Sequence, residues 1–316
     1  MTSGPAPAEL AVKQFVSVME IIHTLITDLS MMSNAMTTLS QAQKAERLLE
    51  LHHAATPVIL INAWDAASAA MIAHCGLPAI ASSSAACANA LGFPDGQHIP
   101  WPQMLDAVSR IVQAVNVPVT ADIESGFAAN AQQLEDSITP IIEAGAVGVN
   151  LEDVQPGQDA RGPLFPLAEQ LERIKAARHA AEAKKIHLVI NARTDAYWQA
   201  GVSPDEALRN TLERGKAYMK AGADCIFVPG LRNPDHIRQV VQHWQSPVNI
   251  LAGPEVPSIP ELTRLGVKRI SYGSGPHRAA MGLLRRIADE ANSTGTFNAL
   301  VDGAVPYAEI NGLFRK

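Results

Sequence analysis

Eight short apolar runs, separated by longer segments with helical spacing, occupy the chain from residue 58 onward. Runs that are apolar at almost every position predict strands buried on both faces, which are typical of a parallel sheet covered by helices. Gly145 and Gly222 each end a helical segment just before one of these runs, as a short helix-to-strand turn requires. The predicted strands span residues 58–63, 79–83, 117–123, 147–151, 187–192, 224–228, 248–251 and 269–272.

Strand–helix units repeated in this way predict a (β/α)8 TIM barrel, the α/β fold whose eight parallel strands close into a ring. The alternative is an open doubly wound sheet, which carries a glycine-rich turn after its first strand. Here that position reads Asn62-Ala63-Trp64-Asp65-Ala66, without a glycine. The sequence therefore favours the barrel.

We expect one barrel domain over residues 36–316, with a C-terminal tail, residues 296–314, that packs against a neighbouring subunit. Residues 1–35 are set apart as an extension, because Ser33-Asn34-Ala35 directly before Met36 resembles a cloning scar. The alternative is a native amphipathic helix, since apolar residues recur at helical spacing in this stretch. Charged residues interrupt those apolar positions, so the stretch does not read as a secretory signal.

Charge and composition narrow the possible partners. The formal net charge of −6 at pH 7 argues against nucleic acid and anionic membranes, since both are bound through basic patches. No apolar run approaches the roughly 18 residues needed to span a bilayer. The 3 cysteines show no CxxC spacing and predict neither a disulfide framework nor a zinc site. We therefore expect a cytoplasmic protein whose partner is a small molecule, with Cys87 and Cys225 buried.

Carboxylates follow the third and fourth predicted strands, at the end of a barrel where chemistry takes place. Asp122 and Glu124 lie two residues apart and point to the same face if the strand stays regular. Glu152 follows the next strand. Carboxylates on one face repel one another unless a cation lies between them, and oxygen ligands suit Mg2+. Each of them could instead cap a helix or pair with Arg193.

Arg193 shares one face of its predicted strand with Asn191 and Asp195. Its guanidinium can hold a carboxylate or an enolate oxygen through two hydrogen bonds. An internal ion pair with Glu152 or Asp195 is the alternative, and the two roles are compatible.

Other strand ends offer neutral or small residues. Ser82-Ser83-Ser84 could present hydroxyl and backbone N–H groups to a substrate carboxylate, or could form a polar turn. Asp95 lies in a loop rich in turn-forming residues, and its own pattern is that of a turn residue. The later strands end near Gly230, Gly253 and Gly273, which should leave room for a ligand.

Five short motifs, taken together and in order, resemble the isocitrate lyase/phosphoenolpyruvate mutase superfamily. The resemblance runs from about residue 41 to residue 290. The motifs are Asn62-Ala63-Trp64-Asp65-Ala66, Leu91-Gly92-Phe93-Pro94-Asp95-Gly96, Ala121-Asp122-Ile123-Glu124-Ser125-Gly126-Phe127, Asn150-Leu151-Glu152-Asp153 and Asn191-Ala192-Arg193-Thr194-Asp195.

The resemblance implies a barrel whose last helix is exchanged between subunits of a homodimer or homotetramer. It also implies Mg2+ or Mn2+ as the cofactor, and a small 2-oxo acid or its enolate as the ligand. The implied site residues are Asp122, Glu124 and Glu152 for the metal; Arg193, Asp95 and Glu152 for catalysis; and Ser82, Ser83, Ser84, Trp64, Asp65 and Asn191 for substrate binding.

One departure from the superfamily bears on the reaction. Lyase members carry a Lys-Lys-Cys-Gly-His loop after the fourth strand, and mutase members carry a longer loop with lysine and asparagine. Residues 154–163 of this chain contain none of these four residue types, Cys, His, Lys and Asn. Cleavage of isocitrate or methylisocitrate would therefore lack its proton donor. Decarboxylation of a 2-oxo acid needs only a polarised oxo group and stabilisation of the enolate.

The sequence thus favours a Mg2+-dependent lyase that cleaves a C–C or C–P bond of a small 2-oxo acid through an enolpyruvate-like intermediate, as an oxaloacetate decarboxylase does. A phosphonopyruvate hydrolase or a phosphoenolpyruvate phosphonomutase is the second hypothesis. It would need a cation for the phosphoryl group, and Arg161 is the candidate. A non-catalytic 2-oxo-acid-binding protein is the third.

Overall fold

The computed structural model describes residues 39–156 and 162–315. The predictions for residues 1–35 and for Arg161 fall outside these ranges. From Ser40 onward the chain belongs to one structural unit.

The described residues form nine strands in a single sheet. They are β1 (Val58–Leu60), β2 (Asn62–Ala63), β3 (Ile80–Ser82), β4 (Val119–Asp122), β5 (Gly148–Glu152), β6 (Val189–Arg193), β7 (Cys225–Phe227), β8 (Val248–Leu251) and β9 (Arg269–Ser271).

All the strand pairs are parallel, and the order around the sheet is β1-β9-β8-β7-β6-β5-β4-β3-β2. The first predicted strand is divided at Ile61, so that β1 pairs with β9 while β2 pairs with β3. This one run of chain joins the two ends of the sheet. The predicted (β/α)8 barrel is therefore confirmed, with its first strand in two parts.

Most of the strands are followed by a helix on the outside of the ring, and the first helix comes before the first strand. The helices are α1 (Gln41–His53), α2 (Ala66–His74), α3 (Ser84–Ala90), α4 (Trp101–Ala114), α5 (Ala131–Glu143), α6 (Leu167–Ala183), α7 (Pro204–Lys220), α8 (Pro234–Trp244), α9 (Ile259–Arg264), α10 (Gly275–Ser293), α11 (Asn298–Val301) and α12 (Tyr307–Gly312), with a short 3-10 turn at Ala196–Trp198.

Helix α1 packs where the strands begin. Ser40 caps this helix in a reciprocal arrangement with Gln43, which satisfies backbone donors of the first turn. Leu48 is fully buried in one cluster with Val58 and Val147, at the start of β1 and just before β5. The helix covers this end of the barrel, and the carboxyl ends of the strands remain for a ligand.

Apolar packing between the strands and the outer helices fixes the neighbouring ends of β4 and β5. Leu134 and Ile138 of α5 and Ile174 of α6 are fully buried in one cluster with Ile123 and Leu151. Each such side chain contributes roughly 1.5–3 kcal/mol through its removal from water. The backbone that carries the strand-end carboxylates is therefore firmly held.

The C-terminal part of the chain leaves a set of apolar side chains exposed. The set includes Met281, Leu284, Phe297, Leu300, Val301, Tyr307 and Phe314. Within the two described ranges, no helix combines the length and the apolar character needed to cross a membrane.

Candidate active site

A cavity of about 130 Å³ lies at the carboxyl ends of the strands. The lining combines charged and polar groups with three large apolar side chains. Its residues are Asn62, Ser83, Ser84, Ala85, Asp95, Gly96, Asp122, Glu124, Asn150, Glu152, Arg193, Trp198, Phe227, Leu251, Ser271, Gly273 and Ser274.

Asp122, the last residue of β4, is held from the neighbouring strand end. Its Oδ2 accepts hydrogen bonds from the backbone N–H of Ser84 at 3.0 Å and from the Ser84 hydroxyl at 2.8 Å. The backbone N–H of Asp122 donates to Ser82 Oγ at 2.8 Å. Its other oxygen, Oδ1, is buried without a hydrogen-bond partner among the described residues. One carboxylate oxygen is thus anchored, and the other remains available.

Glu124 follows β4 in an unusual backbone conformation. Its φ is 53°, in the left-handed region that costs a non-glycine residue of order 1 kcal/mol. The side chain is buried, and Oε1 has no hydrogen-bond partner in the described part of the chain. Burial, together with the negative charges of Asp95 and Asp122, raises the pKa of Glu124 from 4.5 to about 8.

Arg193 forms the ion pairs that the sequence offered as its alternative role. Its Nε and Nη2 donate to Asp195 at 2.6 Å each, and its Nη1 lies 2.7 Å from Glu152 Oε2. Burial alone would lower the pKa of Arg193, but Asp195 and Glu152 outweigh it and raise the pKa well above its usual value. The guanidinium therefore stays charged, and its remaining N–H groups are free of these pairs.

A second buried network holds Arg193 in place through Asp195. The backbone N–H of Asp195 donates to Asp153 Oδ1 at 3.0 Å. Asp153 Oδ2 accepts from the Tyr218 hydroxyl at 2.7 Å and from Arg214 Nη1 at 3.1 Å. These contacts tie the ends of β5 and β6 to helix α7, and so support the guanidinium from behind.

Acidic side chains outnumber basic ones in this cavity. Among its described lining residues, four carboxylates (Asp95, Asp122, Glu124 and Glu152) face the single guanidinium of Arg193. The free oxygens of Asp122 and Glu124 suit a hard divalent cation. No group of three or more His, Cys, Asp or Glu residues in the described ranges is arranged to hold an ion directly. Mg2+ commonly takes one or two carboxylates and keeps several waters, so the donor set fits it.

The structure brings only some of the predicted substrate-binding residues to the cavity. Ser83 and Ser84 line it, whereas Ser82 lies behind Asp122. Asn191 is fully buried below the cavity and donates to Asn150 Oδ1 at 2.6 Å.

Trp64 and Asp65 lie outside the cavity lining. Asp65 is exposed and caps helix α2 by accepting from the Ser68 backbone N–H at 2.7 Å. The Trp64 ring packs edge-on against His277, with 5.3 Å between ring centroids. Asp95 does line the cavity, but its side chain also reaches solvent.

Several lining residues escaped the sequence-based prediction. Trp198, Phe227 and Leu251 form an apolar wall, and the Arg193 guanidinium lies 5.1 Å from the Trp198 ring centroid. Gly230, expected to leave room for a ligand, instead admits Trp198, whose Nε1 lies 2.6 Å from where a Cβ at this glycine would be. That part of the prediction was wrong.

Asn62 and Asn150 also line the cavity without having been predicted as site residues. The signal that could have found them is an amide inside an otherwise apolar strand, because a buried polar group needs partners. Asn62 shows such partners: its Oδ1 accepts from the backbone N–H groups of Tyr272 and Gly273.

Comparisons with known proteins point to the same superfamily. The sequence profile described as phosphoenolpyruvate phosphomutase matches residues 48–292. Oxaloacetate decarboxylase of Pseudomonas fluorescens is 28% identical over 252 residues, which cover 78% of this chain and 84% of that protein.

Solved structures of similar proteins have the same fold. A Burkholderia cenocepacia protein assigned to the lyase/mutase class superposes with a TM-score of 0.80 and 37% identity, covering 87% of this chain and 97% of that one. A phosphonopyruvate hydrolase, solved with oxalate and Mg2+, gives a TM-score of 0.72 at 26% identity, covering 85% and 95% of the two chains.

The profile match extends over most of the chain, and the fold and the order of the strand-end motifs agree with it. This chain therefore belongs to the phosphoenolpyruvate phosphomutase family of the isocitrate lyase/phosphoenolpyruvate mutase superfamily, and is an enzyme of the lyase and mutase type found there.

Proposed function

We propose that this protein is a Mg2+-dependent lyase that cleaves the C–C bond next to the enolpyruvate-like part of a small 2-oxo acid, with oxaloacetate as the reference substrate. The observation that carries the proposal is a pair of carboxylate oxygens, one on Asp122 and one on Glu124, that have no hydrogen-bond partner among the described residues and share one small cavity with Arg193. The similarity to an oxaloacetate decarboxylase supports it.

The proposed metal residues are Asp122 and Glu124, with Glu152 acting through water because it is paired with Arg193. Mn2+ could replace Mg2+ at such oxygen ligands. Bound there, the ion would polarise the 2-oxo group.

The chain's own residues would then act on the substrate and on the enolate. Ser83 lines the cavity and could hold the substrate carboxylate, whereas Ser84 already donates its backbone N–H and its hydroxyl to Asp122. Arg193 would stabilise negative charge as it develops on the 2-oxo oxygen. In oxaloacetate the electrons of the C3–C4 bond move toward C2 as carbon dioxide leaves. The enolate of pyruvate remains and takes a proton from solvent at C3. Asp95 lies at the rim of the cavity and would control the entry of that proton.

The charged groups of the cavity support a reaction on a phosphonate less well than one on a carboxylate. A phosphonate carries more negative charge than a carboxylate and needs cationic partners. Among the described lining residues, Arg193 is the one cation, and it already pairs with Glu152 and Asp195. The similarity to a phosphonopyruvate hydrolase keeps this reaction as the second candidate. A 2-oxo-acid-binding protein without turnover is an outcome of the same test.

The test measures pyruvate release from oxaloacetate, phosphonopyruvate and 2-methylisocitrate, each with Mg2+ and with EDTA. We expect Mg2+-dependent release from oxaloacetate, and a loss of at least ~100-fold in Asp122→Asn. The matched control is Asp106→Asn, at an exposed residue of α4 paired with Arg110, which should keep full activity. Unchanged turnover in Asp122→Asn would overturn the metal assignment.

We further propose that the chain assembles as a homodimer or homotetramer through its C-terminal helices. Met281 and Leu284 of α10 and Phe297 and Tyr307 beyond it are exposed, and exposed apolar sets of this size mark interfaces. Exchange of α10 between subunits would cover them. Light scattering of the wild type and of Leu284→Asp tests this, and a wild-type monomer would refute it.

We propose the reducing cytoplasm as the location of this protein and a small 2-oxo acid as its partner. All 3 cysteines are free thiols, and Cys87 and Cys225 are buried, as the sequence predicts.

A further inference from the structure

We propose that Asn150 is a further ligand-binding residue, whose side-chain amide donates a hydrogen bond into the cavity and whose orientation is set by the buried Arg269. The inference rests on the proposed function for the chemistry of the ligand, an anionic oxygen of a 2-oxo acid or of its enolate. The orientation of the amide follows from the geometry of the protein alone.

The amide oxygen of Asn150 is fully committed inside the barrel. Its Oδ1 accepts a hydrogen bond from Asn191 Nδ2 at 2.6 Å and another from Arg269 Nη2 at 3.0 Å. A flipped amide would turn its own N–H groups toward these two donors and lose both bonds. The two donors therefore leave a single orientation for Asn150.

The amide nitrogen of Asn150 faces the cavity. Asn150 lines the cavity and is 5% exposed. Within the described ranges, no group accepts a hydrogen bond from its Nδ2. Yet Nδ2 is not sealed off from solvent, in contrast to Nδ2 of the buried Asn249. With Oδ1 turned inward, the exposed part of this side chain is a pair of N–H donors.

Strand register places this donor among the proposed catalytic groups. Asn150 pairs with Asp122 on β4 and with Asn191 on β6, and lies two residues before Glu152 on β5. Side chains two residues apart on a strand point to the same side. The amide is therefore in register with the proposed metal carboxylate Asp122, on the side of β5 that also carries Glu152, the partner of Arg193.

Burial of the charged Arg269 side chain costs free energy, and its contacts with the described residues give it no other role. It is fully buried on β9, and the structure gives it no carboxylate partner among the described residues. Its Nη1 faces His52 Nε2 at 3.4 Å. Burial lowers the pKa of Arg269 to about 10, so it remains charged at neutral pH. A charged donor on the amide oxygen polarises the amide and strengthens its N–H groups as donors.

A neutral amide suits this position chemically. The cavity already contains an excess of carboxylates, and an amide N–H binds an anionic oxygen without further charge. Hydrogen bonds to charged groups contribute about 10- to 150-fold in affinity. Arg269 acts through Asn150, so we describe it as a positioning residue.

The experiment measures binding of oxalate, which mimics the planar enolate of pyruvate, in the presence of Mg2+ by calorimetry, and kcat and KM for oxaloacetate. We expect Asn150→Asp to weaken oxalate binding at least ~30-fold, because a carboxylate replaces the donor, and Asn150→Leu to weaken it about 10-fold. The matched control is Asn130→Asp at the exposed cap of α5, where aspartate caps as well as asparagine; its oxalate affinity should equal that of the wild type.

For Arg269, the conservative Arg269→Lys keeps one donor and should retain most of the affinity. Arg269→Met should lose about 5- to 10-fold, with kcat more affected than KM. A purely structural role would lower thermal stability equally in both variants without separating their oxalate affinities.

Folded Asn150→Asp and Asn150→Leu proteins that bind oxalate as tightly as the wild type would overturn the inference. If these variants fail to fold, a wild-type crystal structure with oxalate and Mg2+ decides, and Asn150 Nδ2 more than about 3.5 Å from the ligand and its waters would overturn it. Wild-type protein that binds oxalate without turning over any substrate would refute the lyase proposal and leave this test intact. Wild-type protein that binds no oxalate would overturn this inference, while pyruvate release would still decide the lyase proposal.

Discussion

The buried carboxyl group of Glu124 makes a quantitative prediction about metal binding. With a pKa of about 8 in the metal-free protein, caused by burial and by the charges of Asp95 and Asp122, Glu124 is mostly protonated at neutral pH. A divalent cation binds the ionised form, so binding should release a proton. Mg2+ affinity should therefore rise with pH up to about 8 and level off above it.

The size of the effect follows from the fraction of Glu124 that is ionised. A group with a pKa of about 8 is ~1% ionised at pH 6 and ~50% ionised at pH 8. The apparent association constant for Mg2+ should therefore increase about 50-fold between these two pH values, with close to one proton released per ion at pH 6.

Calorimetry in two buffers of different ionisation enthalpy measures both the affinity and the released proton. Glu124→Gln should bind Mg2+ more weakly and lose most of the pH dependence. Glu143→Gln, which changes an exposed glutamate paired with Lys184, should retain the wild-type profile. Affinity that is equal at pH 6 and pH 8, without proton release, would show that Glu124 is already ionised and would refute the reasoning.

The same shift predicts the stability of the metal-free protein. Between pH 4.5, the ordinary pKa of this group, and about 8, the native state holds a proton on Glu124 that the unfolded state has lost. The contribution of Glu124 to the free energy of unfolding therefore falls as pH rises through this window. The melting temperature of the wild type should fall relative to that of Glu124→Gln, and Mg2+ should restore it most strongly at pH 8.

Three further substitutions each alter a specific contact, and that contact sets the expected effect. Tyr218→Phe removes the 2.7 Å hydrogen bond to Asp153 and should lower the free energy of unfolding by about 1.5–3 kcal/mol in urea denaturation. Gly126→Ala, at φ +94° and with Leu134 Cδ1 in the space that the added Cβ would occupy, should lower the free energy of unfolding by about 1–3 kcal/mol. Arg193→Lys cannot reproduce the paired contact with its neighbouring carboxylate, so kcat should fall at least ~100-fold with the fold intact.

Each of these results has an opposite that would count against the structure. A Tyr218→Phe protein as stable as the wild type would mean that its hydroxyl makes no net contribution. Wild-type stability in Gly126→Ala would contradict the close approach of Leu134. Full activity in Arg193→Lys would remove the guanidinium from the proposed chemistry.

Local pattern was sufficient for the architecture. Strands buried on both faces are apolar at almost every position, so each strand could be recognised from its own stretch of sequence. Glycines in the helix-to-strand turns marked where the helices end. The one miss, the division of 58–63 into β1 and β2 at Ile61, depends on pairing with two different strands. Hydrogen bonds to distant strands leave no local pattern.

The strand-end motifs also predicted much of the cavity lining. Asp122, Glu124, Glu152, Arg193, Ser83, Ser84 and Asp95 all line it. Trp64 and Asp65 share a motif with them but point elsewhere, because Asp65 caps α2 and Trp64 packs on His277. A motif records which residues are near in sequence, whereas capping and packing decide where each side chain turns.

By itself the sequence determined the barrel and the lyase and mutase class, and it predicted the end of the barrel that carries the proposed site, since alternation of elements and carboxylates at strand ends are properties of short stretches. Only the tertiary structure decided which carboxylate oxygens find no hydrogen-bond partner in the part of the chain that it describes, that Glu124 takes a strained backbone, and that Arg269 turns the amide of Asn150 toward the cavity. These depend on distances between residues tens to more than a hundred positions apart. The free energy of a buried polar group is set by the partners it meets there.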